Sequence, residues 1–155
     1  MNFFSSLARQ VSVPSLALAL SALFMAEVSS AQITAGIVKN VTGTAVIVRG
    51  DKSLPIEPGT KVVAGDVVRT SAESSVGVML KDETRLSLGA GSQAALEKFS
   101  FNADSNKGGM TVNVVKGTLS MISGLLVKAN PGEVLVKTPT STAGIRGTFF
   151  VVEVY

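Results

Sequence analysis

From Gly36 onward, apolar and polar positions alternate with a period of two, and turn residues interrupt the alternation at short intervals. Ala45, Ile47 and Arg49 interleave with Val46 and Val48 until Gly50-Asp51 ends the run, and Pro55, Pro58 and Gly59 mark a loop. Val62-Val63 leads to Gly65-Asp66; Val67-Val68 follows, and Val76, Val78 and Leu80 alternate up to a turn at Asp82-Glu83. Leu86 and Leu88 resume the pattern, then Met110, Val112 and Val114, then Leu119 and Ile122, then Val134 and Val136, with 149–155 closing it. Runs of this kind are strands. Strands recurring at roughly 8–12-residue spacing predict an all-β domain, wound as a β-roll or solenoid-like coil, or stacked as a sandwich. Only 94–98 could hold a helical turn, and it is too short to matter.

Ahead of this pattern, residues 1–31 read as a signal peptide. Arg9 supplies the positive charge, Leu16 to Ala26 the apolar core, and Ser29-Ser30-Ala31 the small residues before a cut at Gln32. The apolar core is about half the roughly 20 residues that span a bilayer, so cleavage is expected rather than a stable membrane span. Residues 32–155 then form one all-β domain.

Composition narrows the function. The hydrophobic fraction of 46% belongs to a globular chain, and 16% charged residues with 15 glycines suits a turn-rich β protein. The chain has no cysteine and no histidine. A disulfide framework, a familiar nucleophile triad and the commonest metal ligand are therefore all missing. The net charge of +3 is carried by singly scattered Lys and Arg, and one Tyr with no Trp offers bases little to stack on. Nucleic acid is not the expected partner. Asn102-x-Asp104-x-Asn106 looks like the opening of a calcium loop. Lys107, however, stands where the sharp-turn glycine belongs and Asn113 where the closing glutamate belongs, so a strand connection is expected there. Asn40-Val41-Thr42 fits a glycosylation pattern that means nothing in a bacterial host.

The best-marked stretch is Thr138-Pro139-Thr140-Ser141-Thr142-Ala143-Gly144-Ile145-Arg146-Gly147-Thr148. Short hydroxyl side chains bond nearby backbone and Pro139 excludes a helix, so an extended or turning path is expected. A faint echo links Val67-Val68-Arg69-Thr70 with Leu135-Val136-Lys137-Thr138; each is an apolar strand ending in a basic residue and a threonine.

Several motifs together are similar to the periplasmic domain of the FecR family. They are Gly36-x-Val38, Gly43-x-Ala45-x-Ile47, Gly59, Ala64-Gly65-Asp66-x-Val68-x-Thr70, Ser75-x-Gly77-x-Met79 with Lys81-Asp82, Lys116-Gly117, and the 138–148 signature. The resemblance implies an all-β domain wound like a short roll or solenoid. Its best-known members sit in the inner membrane and relay a signal from an outer-membrane receptor to a sigma factor. Three departures limit the transfer. The residues ahead of the apolar core are too few for a cytoplasmic sigma-binding module. Glu83 stands where the family usually has glycine, which predicts a strained or different turn. The chain also stops at Tyr155, where family members tend to continue into a further hairpin.

The expected protein is thus a non-enzymatic interaction or signalling module of the bacterial envelope, periplasmic or secreted, without a cofactor or metal. The expected partner is an envelope protein or a cell-wall component, with self-association through the C-terminal edge strand. The alternative is a secreted structural or adhesion-type β module that binds cell-wall polysaccharide or itself. The candidate structural or recognition residues are Asp66, Thr138, Pro139, Arg146, Gly147 and Thr148. Of these, Asp66 and Arg146 are expected to form a partly buried pair tying the layers together, because a charge between apolar strands must be paired.

Overall fold

The first alternating run forms β1 (Thr34–Thr42), which turns at Gly43 into β2 (Ala45–Arg49). β3 (Lys52–Pro55) returns beside β2, and a loop leads to β4 (Lys61–Val63) on the far side of β1. β5 (Val67–Thr70), β6 (Ser75–Leu80), β7 (Arg85–Leu88), β8 (Gln93–Asn102) and β9 (Lys107–Ile122) follow. A short helix α1 (Leu125–Ala129), β10 (Val134–Lys137), β11 (Thr142–Gly144) and β12 (Phe149–Val154) complete the chain. The structure, a computed structural model, describes residues 32–155; the expected leader lies outside the described residues.

The twelve strands of the described residues make one curled sheet. One half runs β4-β1-β6-β7-β9-β12, and the other runs β3-β2-β5-β8-β9-β10-β11. β9 belongs to both: residues 107–116 pair with β8, and residues 117–122 pair with β12. The same continuity holds for its neighbours. β1 passes into β2 at Gly43-Thr44, β5 into β6 through 71–74, and β7 into β8 through 89–92. Four passages therefore lie side by side in a seam, joined by Ser71 N–H to Thr44 O (3.0 Å), Gly91 N–H to Ser71 O (2.9 Å) and Gly89 N–H to Thr118 O (3.0 Å).

Hydroxyl side chains complete the seam where the ladder is interrupted. The Thr44 N–H donates to Ser74 Oγ (2.9 Å), the Ser92 N–H to Thr70 Oγ1 (2.9 Å) and the Thr118 N–H to Ser92 Oγ (2.9 Å). Buried backbone donors need partners, which explains why Thr70, Ser74 and Ser92 are polar yet buried. The faint echo ends here: Thr70 works across the seam, whereas Thr138 bonds its own loop.

Inward residues of both halves share one core, including Val38, Val78, Leu88 and Leu119 from the first half and Ile47, Leu96, Val112 and Val136 from the second. An interior void of about 20 Å³ is lined wholly by apolar side chains from both halves. It is about one water in size and too apolar to hold one.

The all-β expectation holds, with two local corrections. Residues 94–98 are strand, not a helical turn, since Ala94 and Leu96 alternate inward and the segment is paired on both sides. Helix instead occupies Leu125–Ala129, after the long strand β9 ends. The two short runs read around Gly117 are a single 16-residue strand bent at that glycine.

The Asp82-Glu83 turn keeps φ at +68° with glutamate in place of glycine. Asp82, fully buried, holds the turn by accepting from the Thr84 N–H (3.2 Å) and the Thr84 hydroxyl (2.6 Å). A left-handed non-glycine residue costs roughly 1–2 kcal/mol, and glycine returns about 0.5–1 of that through unfolded-state entropy. Glu83→Gly should therefore raise stability by about 0.5–1 kcal/mol in urea melts. A lower midpoint would mean that the glutamate side chain makes up for its own strain.

Candidate functional site

Asp66 precedes β5 and is wholly buried, but its partner is Arg49, not Arg146. The register explains this. β2 and β5 are antiparallel with Val48 opposite Val67, so one step further Arg49 faces Asp66. The Arg49 Nε donates to Asp66 Oδ1 (2.7 Å) and its Nη2 to Oδ2 (2.8 Å), while the Val63 N–H donates to Oδ2 (2.9 Å). Nη2 also donates to the Lys61 carbonyl (3.0 Å). One carboxylate thus ties β2 in one half of the sheet to β4 in the other. The hydrogen bonds to Asp66 raise the Arg49 guanidinium above its ordinary value. Sequence reasoning missed Arg49 although a signal was present: it shares the parity of Ala45 and Ile47, which face the core.

Thr138 and Pro139 lie in the tight connection from β10 to β11. The Thr138 N–H donates to Ser141 O (2.8 Å), and Thr138 Oγ1 accepts from the Ser141 N–H (3.1 Å). Pro139 and Thr140 are exposed at its tip. Beside it, Lys137 of β10 and Asn113 of β9 both donate to Glu97 of β8, at 3.0 and 2.9 Å. These bonds, Lys137 first, hold the Glu97 carboxyl below its ordinary value. An exposed trio of this kind is worth little in stability.

Arg146, Gly147 and Thr148 form the connection from β11 to β12, and all three are exposed. Ile145 is buried on one side, and on the other the Ser123 N–H donates to Thr148 O (2.8 Å). Gly147 sits at φ +124° with open space around it. Arg146 is therefore carried on a short, anchored bridge, and among the described residues it makes no ion pair. The expected pair with Asp66 is absent because Arg146 lies at the far side of the sheet, next to β12 and β11.

The bridge leads directly into an apolar patch. Phe149 is 67% exposed and stands opposite Ile122, itself 42% exposed, with Val151 exposed two residues on. The family model described as FecR protein matches residues 66–155. The chain belongs to the FecR family. No curated protein and no solved structure matches it.

The FecR match begins at Asp66 and covers β5 to β12, so Arg49 and the glycine motifs of β1 and β2 lie outside it. Within the match the residues of the sequence motifs divide by burial. Asp66, Val68, Thr70 and Gly117 belong to the ion pair, the core and the seam. Pro139, Thr140, Arg146, Gly147 and Thr148 face outward. Among the described residues no helix is long and apolar enough to cross a membrane. The turn at Asn102 is the β8–β9 hairpin, in which Asn102 Oδ1 accepts from the Asp104 and Ser105 N–H groups (3.0 and 3.1 Å).

Proposed function

We propose that this chain is a non-enzymatic recognition module of the cell envelope, which binds another envelope protein through residues 146–149 and the adjoining strand surface. One observation carries this. Arg146 lies within the matched residues, yet it is exposed, unpaired among the described residues and carried on the connection that leads into exposed Phe149, which stands opposite Ile122. An exposed cation with no internal partner is free to act outward, and an arginine followed closely in the chain by an exposed aromatic is the composition of binding hot spots. The filled interior supports a role at the surface. The expected leader over 1–31 supports export, and the exported protein should have an intact mass that starts at Gln32.

Charge reversal tests the recognition reading. Arg146→Glu should stay within about 0.5 kcal/mol of the parent in thermal melts, as surface substitutions do. It should also lose the protein partner that the parent retains when purified from an envelope extract. A marked drop in melting temperature with the partner retained would make Arg146 structural. Retention of the parent by peptidoglycan sacculi, with no bound protein, would favour the structural or adhesion-type alternative. β12 also has a specific claim to self-association, since among the described residues it pairs only with β9 and leaves one edge unpaired. Sedimentation of the purified chain separates dimer from monomer.

A further inference from the structure

The patch at Phe149 is one end of a cross-strand row. The registers align Phe149 with Ile122, Ile122 with Arg85, Arg85 with Met79, Met79 with Ile37 and Ile37 with Lys61. All six lie on the outer face of one half of the sheet, across β12, β9, β7, β6, β1 and β4. Beside Met79 the row opens into two troughs of about 260 and 190 Å³. Among the described residues, the charged ones lining them are Lys39 and Lys81 in the first and Lys39 and Arg85 in the second, with no carboxylate in either. Lys39 serves both because β1 bulges between Val38 and Asn40, where the register against β6 shifts. A bulge re-aims a side chain out of the ladder, and bulges gather beside functional sites. Among the described residues none of Lys39, Lys61, Lys81 and Arg85 makes an ion pair.

We infer that this face docks an extended acidic segment of the partner protein, laid across the strands with an acidic–apolar–acidic face turned to the sheet. The inference rests on the recognition reading above and names the chemistry of its partner. Lys61 and Arg85 are three strand spacings apart, about 14 Å, with Ile37 and Met79 between them. In an extended peptide, residues i and i+4 on one face are likewise about 13–14 Å apart, with i+2 between them. Carboxylates at i and i+4 therefore meet Lys61 and Arg85, while an apolar side chain at i+2 covers the half-buried Ile37 and Met79. That apolar centre favours a polypeptide over a uniformly charged glycan.

The test uses a fluorescein-labelled peptide with the core Glu-Thr-Leu-Thr-Glu, titrated with the purified chain by anisotropy. Saturable binding is expected, falling as salt rises, and weakened by about tenfold or more in Arg85→Glu and in Lys61→Glu, as for charge reversal at a complementary interface. Serine in place of the central leucine should weaken binding by about tenfold, the loss of one buried apolar side chain. Both cations are exposed, so the variants should melt like the parent; Lys39→Glu replaces either one that does not. No saturable binding, or binding indifferent to the charge reversals, would overturn the inference. Equal binding of the serine peptide or of alginate would reduce it to general polyanion attraction and overturn it too. If the peptide fails while Arg146→Glu still sheds its envelope partner, the acidic-segment inference falls and the recognition reading stands.

Discussion

Replacing Arg49 with alanine is expected to destabilise the protein by roughly 3–5 kcal/mol, the range for stranding one charge of a buried pair. The asymmetry of the pair sets the order of effects. Asp66 has a side-chain exposure of 0% and Arg49 of 32%, so the carboxylate is the member that cannot return to water. Without Arg49 it keeps, among the described residues, only the Val63 N–H as a donor. Asp66→Ala should cost less, about 2–3 kcal/mol, because Arg49 can swing outward and the chief loss is the orphaned Val63 N–H. Either change removes a large part of the 5–15 kcal/mol that holds an ordinary domain together. The double variant should lose less than the sum of the two, with a coupling of about 0.5–3 kcal/mol. Urea melts of the four proteins measure this directly. If Arg49→Ala keeps the parental midpoint, Asp66 is satisfied by other groups and the two halves of the sheet are not tied here.

Gly117→Ala should come next, at roughly 2–5 kcal/mol, because two costs coincide: left-handed backbone and seam hydrogen bonds. Gly117 has φ at +84°, and a Cβ there would strike the Ser92 hydroxyl and approach the Ser92 Cα to 2.5 Å. The conformational cost is about 1–2 kcal/mol. The collision adds more, because Ser92 is bonded to Thr118 on one side and to Thr70 on the other. Pushing it away loosens hydrogen bonds worth about 0.5–1.5 kcal/mol each. Gly50→Ala is the matched control, since φ there is +61° but a Cβ would meet nothing within 4 Å. It carries the conformational cost alone. Equal losses at the two positions would show that the seam has room, and that the bend in β9 does not depend on close approach.

The division between frame and surface could not be seen from motif alone. Asp66 and Arg146 looked alike in the sequence: each is a charge close to a glycine and beside apolar strand residues. One proved to be among the most buried side chains of the protein and the other lies on an open bridge. The difference lies in strand order. Asp66 faces β2 because β5 pairs with β2, while Arg146 follows β11 at the far side of the sheet. The outer row from Phe149 to Lys61 is invisible in the sequence for the same reason. Its six members are spread from residue 37 to residue 149, and only register brings them into line.

The sequence by itself determined the local conformations. Period-two alternation specified strands, since only extended backbone places every second side chain on one face. Pro139 and the hydroxyl residues around it specified an extended or turning path rather than a helix, and glycines marked places where positive φ carries no steric cost. These are properties of a residue and its immediate neighbours. Which face of each strand went inward, which cation met Asp66, and which exposed side chains came to share one surface were decided only by the tertiary structure. Those outcomes depend on hydrogen-bond pairing between segments far apart in the chain, and a one-residue shift of register would turn every side chain to the opposite face.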